Sequence, residues 1–427
     1  MMKNYVLAIA ALTAGTTAFS QSINKIINEK TVSRVEKVLS ADDMQGRAPF
    51  TPGIEKAAAF IASEFQKAGL KPGSADSYLQ KFDMLRTKPI SAKGTLNGKP
   101  LTEQEIVAIT ASPALNITQD SKYQVITVPK DSLYAVYGRV TKTTGNYLLA
   151  VDTSNRRLFT ALKRRSTSFA PTANVVGVLT QETPASYSIE FAQEITTMPL
   201  SNVVGILPGK SKPNEYVIFS GHYDHLGIAK QPNAAGDSIY NGANDDAAGT
   251  TAVIMLAHYF AKQKNNERTI VFATFTAEES GGFGAQYFSR QFEAAQVMAM
   301  FNIEMIGTDS KWGDNSAYIT GYEKTDMGKI LEKNLEGSKF KFYPDPYPEQ
   351  QLFYRSDNAT LARLGVPAHT ISTSKMDSEK FYHTLDDEFE TLNMKNMTEI
   401  IKAIAISSTS IVAGKDTPSR VDTSALR

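Results

Sequence analysis

His222 and Asp224 close an apolar run, VIFSGHYDH, and a loop rich in Gly and Asn then leads to the adjacent acids Asp245 and Asp246 in NGANDDAAG. Further along, TIVFATFT runs into Glu278 and Glu279, and AMFNIEMIG carries Glu304. Apolar strand-like runs that stop at an imidazole or a carboxylate are how α/β proteins present metal ligands at the carboxyl edge of a sheet. Burying so many carboxylates without a cation would be expensive, whereas a pair of divalent metal ions would neutralise them. Imidazole with carboxylate ligation suits Zn²⁺, and a chain with no cysteine offers no thiolates, which fits a catalytic site better than a structural one. Asp224, two residues past His222 on the same strand, is expected to lie on the imidazole's side and accept its other N–H, fixing the tautomer. The side chains of Glu278 and Glu279 diverge, so one can bind metal while the other takes a proton from the activated water. Singly, an HxD, an EE pair or a YHT is explained as well by ordinary hydrogen bonding or solvated surface. In this order, at successive strand ends, the set is hard to explain as surface.

The elements that must position these residues alternate strand and helix after Asn202, as a sheet with helices on both faces requires. Val217 to Ser220 reads as a strand and Ala247 to Lys264 as a helix with Val253, Leu256, Ala257 and Phe260 inward. Thr269 to Thr276 is a strand buried on both sides, followed by a helix from about Ala285. Strands over Ala299 to Ile306, Ala317 to Thr320 and Val366 to Ile371 follow, before a loop carrying His383. Earlier, Ile27 to Gly73 reads as two amphipathic helices around a turn at Gly46 to Gly53, the second closed by Gly69 and barred from continuing by Pro72. Between them and the sheet, short alternating runs such as Tyr123 to Val128 and Tyr147 to Val151 indicate an inserted β-rich subdomain. The basic run NRRLFTALKRR, Asn155 to Arg165, reads as a solvated helix face.

Lys+Arg number 45 against 44 Asp+Glu, so no global charge points to nucleic acid or an anionic surface. The start, MMKNYVLAIAALTAGTTAFSQS, has Lys3, a short apolar run and small residues at Ala18 and Ser20, the pattern of a cleavable signal peptide ending at Ser20. The run is too short for the roughly 20 apolar residues of a membrane span, and no later segment is apolar enough. Export to the periplasm or the exterior is expected.

GHYDH, NGANDDAAG, TAEESGGFGA, NIEMIG, SDNATLARLGVPA and FYHTLDD resemble, in that order, the motifs of the co-catalytic zinc aminopeptidases, whose superfamily also contains glutamate carboxypeptidase II and glutaminyl cyclase. The resemblance covers the half after Asn202, and ADDMQGR and AAAFIASEFQKAGLKPG resemble the family's opening helices. It implies two Zn²⁺ per chain: His222 and Glu304 on one, Glu279 and His383 on the other, Asp245 bridging both. It makes Glu278 the general base and Tyr382 a residue that helps polarise the scissile carbonyl. Two positions depart from the pattern: Glu304 stands where many members have Asp, and Asn358 where relatives often carry His, which leaves Asp357 and Arg355 as the neighbouring substrate-contact candidates. His225, His258 and His369 have no motif role and read as structural histidines.

The expected architecture is therefore α/β, a mixed, mostly parallel central sheet with helices on both faces, of the zinc exopeptidase type. Residues 1–20 form the leader, 21–84 with 202–415 the peptidase domain, 85–201 the β-rich insert where relatives carry a protease-associated lid, and 416–427 a loose tail. The expected function is an exported zinc-dependent exopeptidase, an aminopeptidase acting on peptides. The alternatives are a glutaminyl cyclase-like enzyme, which typically uses one zinc, and a catalytically silent binding protein; the intact ligand set with Glu278 argues against silence.

Overall fold

The computed structural model describes residues 23–426; the expected leader lies outside the described residues. Helix α1, Glu29–Leu39, starts where Asn28 accepts the Thr31 N–H at 3.1 Å, and buries Val32, Val35 and Leu39. Helix α2, Pro52–Ala68, begins with proline and stops at Gly69, whose φ of 79° is the left-handed cap expected there. Between them the chain turns through Asp42–Arg47.

The chain divides into two compact units, one of residues through Lys81 together with Ser201 onward, the other Phe82–Leu200. In the first, strand β1, Tyr187–Leu207, contributes its last residues to a sheet with β2 Lys212–His222, β3 Arg268–Phe275, β4 Val297–Ile303, β5 Ser316–Ile319, β6 Lys341–Pro344 and β7 Ala368–Ser372. Their order is β6–β5–β7–β4–β2–β3–β1. The pairs β2 with β3, β2 with β4, β4 with β7 and β5 with β6 are parallel, while β1 with β3 and β5 with β7 are antiparallel. This is the mixed, mostly parallel sheet that the apolar runs imply.

Both faces are covered, because alternate residues of each buried strand point opposite ways. Val217, Phe219, Ile270, Phe272 and Phe301 meet α1, α2, α3 (Ala248–Gln263) and α7 (Met394–Ser407). Ile218, Val271, Ala273 and Met300 meet α4, Phe283–Ser289, and α6, Asn358–Ala362 (α5, Met327–Asn334, packs beside β6). Phe219 stacks against Phe301, Phe260 and Phe272 at 4.9, 5.4 and 5.8 Å between ring centres. Removing such a ring would cost roughly 3–5 kcal/mol, so the strand that delivers His222 is clamped at its centre.

The Phe82–Leu200 unit contains a four-stranded sheet in the order Ile106–Ile109, Asn174–Leu179, Asn146–Val151, Gln124–Val128. Two helices, Leu133–Val140 and Arg156–Arg164, connect its parallel strands, so this part is α/β and not β alone. Leu133–Val140 is short enough that its apolar period is easily mistaken for strand alternation, while Arg156–Arg164 is the helix expected of the basic run. Within the helix Arg156–Arg164 only Phe159 is buried, and its three arginines are exposed.

The expected loose tail is corrected. Buried Arg268 donates to the Asp416 carbonyl at 2.7 Å and to Thr417 Oγ1 at 2.5 Å, Arg420 donates to the Val297 and Ala294 carbonyls, and Val421 is buried. Polarity alone suggested disorder, but these are polar groups with partners. Among the described residues no helix is long and apolar enough to cross a membrane.

Candidate metal centre

Three parallel strands deliver the chemistry to one edge of the first unit's sheet. β2 ends at His222, β3 is followed after Thr276 and Ala277 by Glu278 and Glu279, and β4 is followed directly by Glu304. Asp245 enters from the loop ahead of α3, and His383 from the segment after β7. Asp245 Oδ1 lies 3.2 Å from His222 Nε2, and its Oδ2 lies 3.2 Å from His383 Nε2. The same His383 nitrogen is 3.1 Å from Glu279 Oε1. His222, Asp245 and Glu304 each offer a ligand atom within 4.8 Å of the others, and so do His225, Asp245 and Glu279. All five expected metal ligands thus converge.

The electrostatics fit a cationic guest. Burial presses His222 toward neutrality, yet Asp245, Asp246 and Glu278 outweigh it and hold the imidazole well above its ordinary value. Hydrogen bonds with Asp245 and Glu279 lift His383 to about 10. Burial pushes Glu304 up to about 7, and Glu278 and Asp246 well above the usual carboxylate range. Asp245 and Glu279 are lowered despite burial, because imidazoles face them. Retained protons thus compensate the crowded carboxylates, a role a divalent cation would take over. His222 Nε2 is buried without a hydrogen-bond partner although it faces Asp245, which is the condition of a nitrogen built to ligate. The donor set, imidazole with carboxylate and no thiolate, suits zinc.

Neighbouring residues fix this arrangement. Asp246 accepts the N–H groups of His222 at 3.2 Å, Gly249 at 3.0 Å and Met305 at 3.0 Å, tying β2, α3 and the Glu304 segment together. Asp387 accepts the N–H groups of Asn244 and Asp245. Arg47, fully buried, donates to the carbonyls of Leu39, Tyr223, Asn241 and Gly242. Ser356 donates to Glu304, and its own oxygen accepts from Asn302 at 2.7 Å. Sequence reading assigned none of these four a role, although the DD, LDD, QGR and RSDN stretches that hold them were in view.

The expectation for Asp224 is corrected. His222 Nδ1 meets the Asp224 backbone carbonyl at 3.2 Å, while the carboxylate stays 3.8 Å away and accepts the Glu278 N–H at 3.0 Å. β2 ends at His222, so the two-residue alternation that would bring the carboxylate alongside no longer applies. Asp224 therefore orients the loop that carries Glu278 as well as the imidazole.

The Tyr382 ring stacks on His383 at 3.9 Å and 20°, and burial raises its hydroxyl pKa. Tyr382 lines an open cleft with Glu304, Met305, Arg355 and Met376. Arg355 thus faces a space beside the ligands, whereas Asp357 is buried, with both oxygens unpartnered, and burial raises it to about 8. Asn358 is buried too, donating to the Phe353 carbonyl at 3.0 Å and accepting from Thr370 at 2.9 Å. It is part of the scaffold.

Of the three histidines read as structural, His369 and His258 have such partners. His369 meets the Thr320 carbonyl and Thr325 Oγ1, each at 2.8 Å, and His258 meets Glu64 at 3.2 Å. His225 does not fit that reading: its Nδ1 lies 3.0 Å from Glu279 Oε1, inside the cluster. The second imidazole of GHYDH, three residues after His222, was the available signal.

Residues 202–407 match the family model described as Peptidase family M28. A leucine aminopeptidase 1 of Trichoderma harzianum is 28% identical over 218 residues, 48% of this chain and 52% of that protein. The chain therefore spans about half the length of this curated relative. Among solved structures, an aminopeptidase from Aneurinibacillus sp. strain AM-1 superposes with a TM-score of 0.55 at 17% identity, covering 95% of this chain and 98% of that one. A zinc aminopeptidase from Bacillus subtilis gives 0.53 at 15% identity over 92% and 98%. These two likenesses concern the fold.

Proposed function

We propose, from the premise that residues 202–407 of this chain belong to Peptidase family M28, that the protein is a zinc-dependent aminopeptidase, hydrolysing N-terminal residues from peptides. One observation carries the reading. A single carboxylate, Asp245, stands between His222 and His383, at 3.2 Å from each, as a ligand bridging two cations would. In this reading His222 and Glu304 would hold one zinc, Glu279 and His383 the other, and Asp245 would serve both. When bound, zinc would supply Lewis acidity toward the scissile carbonyl and lower the pKa of the attacking water to about 7.

The chain's own residues do the rest. Glu278, held by the Asp224 contact to its N–H, takes the proton of the attacking water and returns it to the departing amine as the peptide C–N bond breaks. Tyr382 keeps its hydroxyl proton and offers a donor to the carbonyl from the cleft side. That cleft, next to Glu304, receives the N-terminal side chain. The likeness to the leucine aminopeptidase 1 of Trichoderma harzianum supports action at the amino end. Export rests on the leader-like residues 1–20; Edman sequencing of the exported protein should begin at Gln21.

The test is a panel of aminoacyl and amino-blocked peptides, with and without chelator. Release of the first residue only from free-amino substrates, abolished by chelator and restored by Zn²⁺, is expected. Cleavage of blocked peptides at the carboxyl end, or cyclisation of a Gln-initiated peptide without hydrolysis, would reject the reading.

A further inference from the structure

His225 is 1% exposed, and its imidazole makes one polar contact, Nδ1 to Glu279 Oε1 at 3.0 Å; its Nε2 is buried without a partner. His369 shows what a structural histidine looks like in this protein, since both of its nitrogens are engaged by Thr320 and Thr325. The nitrogen of His225 that faces the cluster, Nδ1, meets only a carboxylate read here as a metal ligand, which is where a further ligating nitrogen would stand.

The spacing supports that use. Ligand atoms at the roughly 2.0–2.1 Å of a Zn–N or Zn–O bond stand about 3.3 Å apart in a tetrahedron. Around Glu279 Oε1 the separations are 3.0 Å to His225 Nδ1 and 3.1 Å to His383 Nε2, and His383 Nε2 is 3.2 Å from Asp245 Oδ2. His225, Asp245 and Glu279 also satisfy mutual ligand spacing as a trio. The imidazoles of His225 and His383 approach edge to face, 5.7 Å between centres, so both can aim at one point without stacking.

We propose that His225 is a fourth protein ligand at the Glu279–His383 end of the centre, beyond the five that the family pattern supplies. This rests on the two-metal reading above. It makes the centre asymmetric. The end built from His225, His383, Asp245 and Glu279 has four protein donors and is closed and tight; the end built from His222, Asp245 and Glu304 has three and keeps a position for water or substrate. One cation is then retained when mild chelation removes the other.

The experiment uses the full chain, stripped of metal and titrated with Co²⁺. Proton NMR should show three imidazole spin systems shifted by the paramagnetic ion, from His222, His225 and His383, and two in His225→Gln. The tighter of two Co²⁺ binding steps should weaken on the order of 100-fold or more in His225→Gln, while His222→Gln weakens the other step. Two shifted imidazoles in the unsubstituted protein overturn the assignment, even if His225→Gln lowers affinity, because that pattern means His225 only hydrogen-bonds Glu279. Peptide cleavage does not enter this readout. Three shifted imidazoles without peptidase activity would sink the aminopeptidase reading and leave the ligand assignment standing; activity with two would do the reverse.

Discussion

Asp387 holds Asp245 by the backbone. Its two carboxylate oxygens accept the N–H groups of Asn244 and Asp245 at 2.8 and 3.0 Å, and its own carbonyl accepts the Ala243 N–H at 3.0 Å. The acid that stands between two imidazoles is therefore aimed by another acid 142 residues later in the chain. Because both amides need an acceptor, Asp387→Asn leaves one of them facing an NH₂ group, and Asp387→Ala leaves both buried without a partner. Metal affinity should fall roughly 10–100-fold in either variant, with peptidase turnover falling in parallel, as for other residues that orient ligands from behind. Calorimetric Zn²⁺ titration checks this; wild-type affinity in Asp387→Ala would refute it.

Arg47 binds together the opening turn, the end of β2 and the loop before Asp245 through four carbonyls. Burial lowers its pKa, and Glu36 and Asp387 oppose that effect. Removing the guanidinium strands these carbonyls, so Arg47→Met should cost on the order of 3–5 kcal/mol in urea unfolding. Arg47→Lys should rescue little, since an ammonium cannot span the fork of partners. Full stability of Arg47→Lys would contradict the assignment.

Burial lowers His369 to about 4, its largest cause, against a helping hydrogen bond to the Thr320 carbonyl, with Glu323 and Lys324 the charges nearest it. The folded state therefore binds this proton more weakly than the unfolded chain, whose histidine titrates near 6.5. Its contribution to stability is fully present above about pH 6.5 and is lost as pH falls through about 4. The loss should reach roughly 3 kcal/mol. In metal-free protein, unfolding free energies of wild type and His369→Gln measured from pH 7 to 4 should converge as pH drops; parallel curves would reject the claim.

Much of the centre was legible because buried strands announce themselves. The runs ending at His222, Glu278 and Glu304 are apolar on both faces, so their polar last residues stand out and their common edge follows from parallel order. The positioning residues were not legible, because Asp387 and Arg47 work from irregular segments whose meeting with Asp245 depends on long-range packing. Asp224 was misplaced because strand alternation was carried past His222, where β2 stops, and His225 because it has no place in the motifs that carry the resemblance. The helix Leu133–Val140 was hidden by its brevity, whereas the basic run announced Arg156–Arg164 as a helix, and the tail was hidden by composition that says nothing about partners such as Arg268.

The central claim is that Glu278 is the base of a metal centre it does not itself build. Glu278→Gln keeps size and shape but cannot take up a proton. Single-turnover hydrolysis of an aminoacyl substrate, with bound zinc quantified in the same sample, should show turnover reduced at least about 10²–10⁴-fold with zinc content unchanged. Near-normal turnover in Glu278→Gln, or loss of zinc together with activity, would contradict the account.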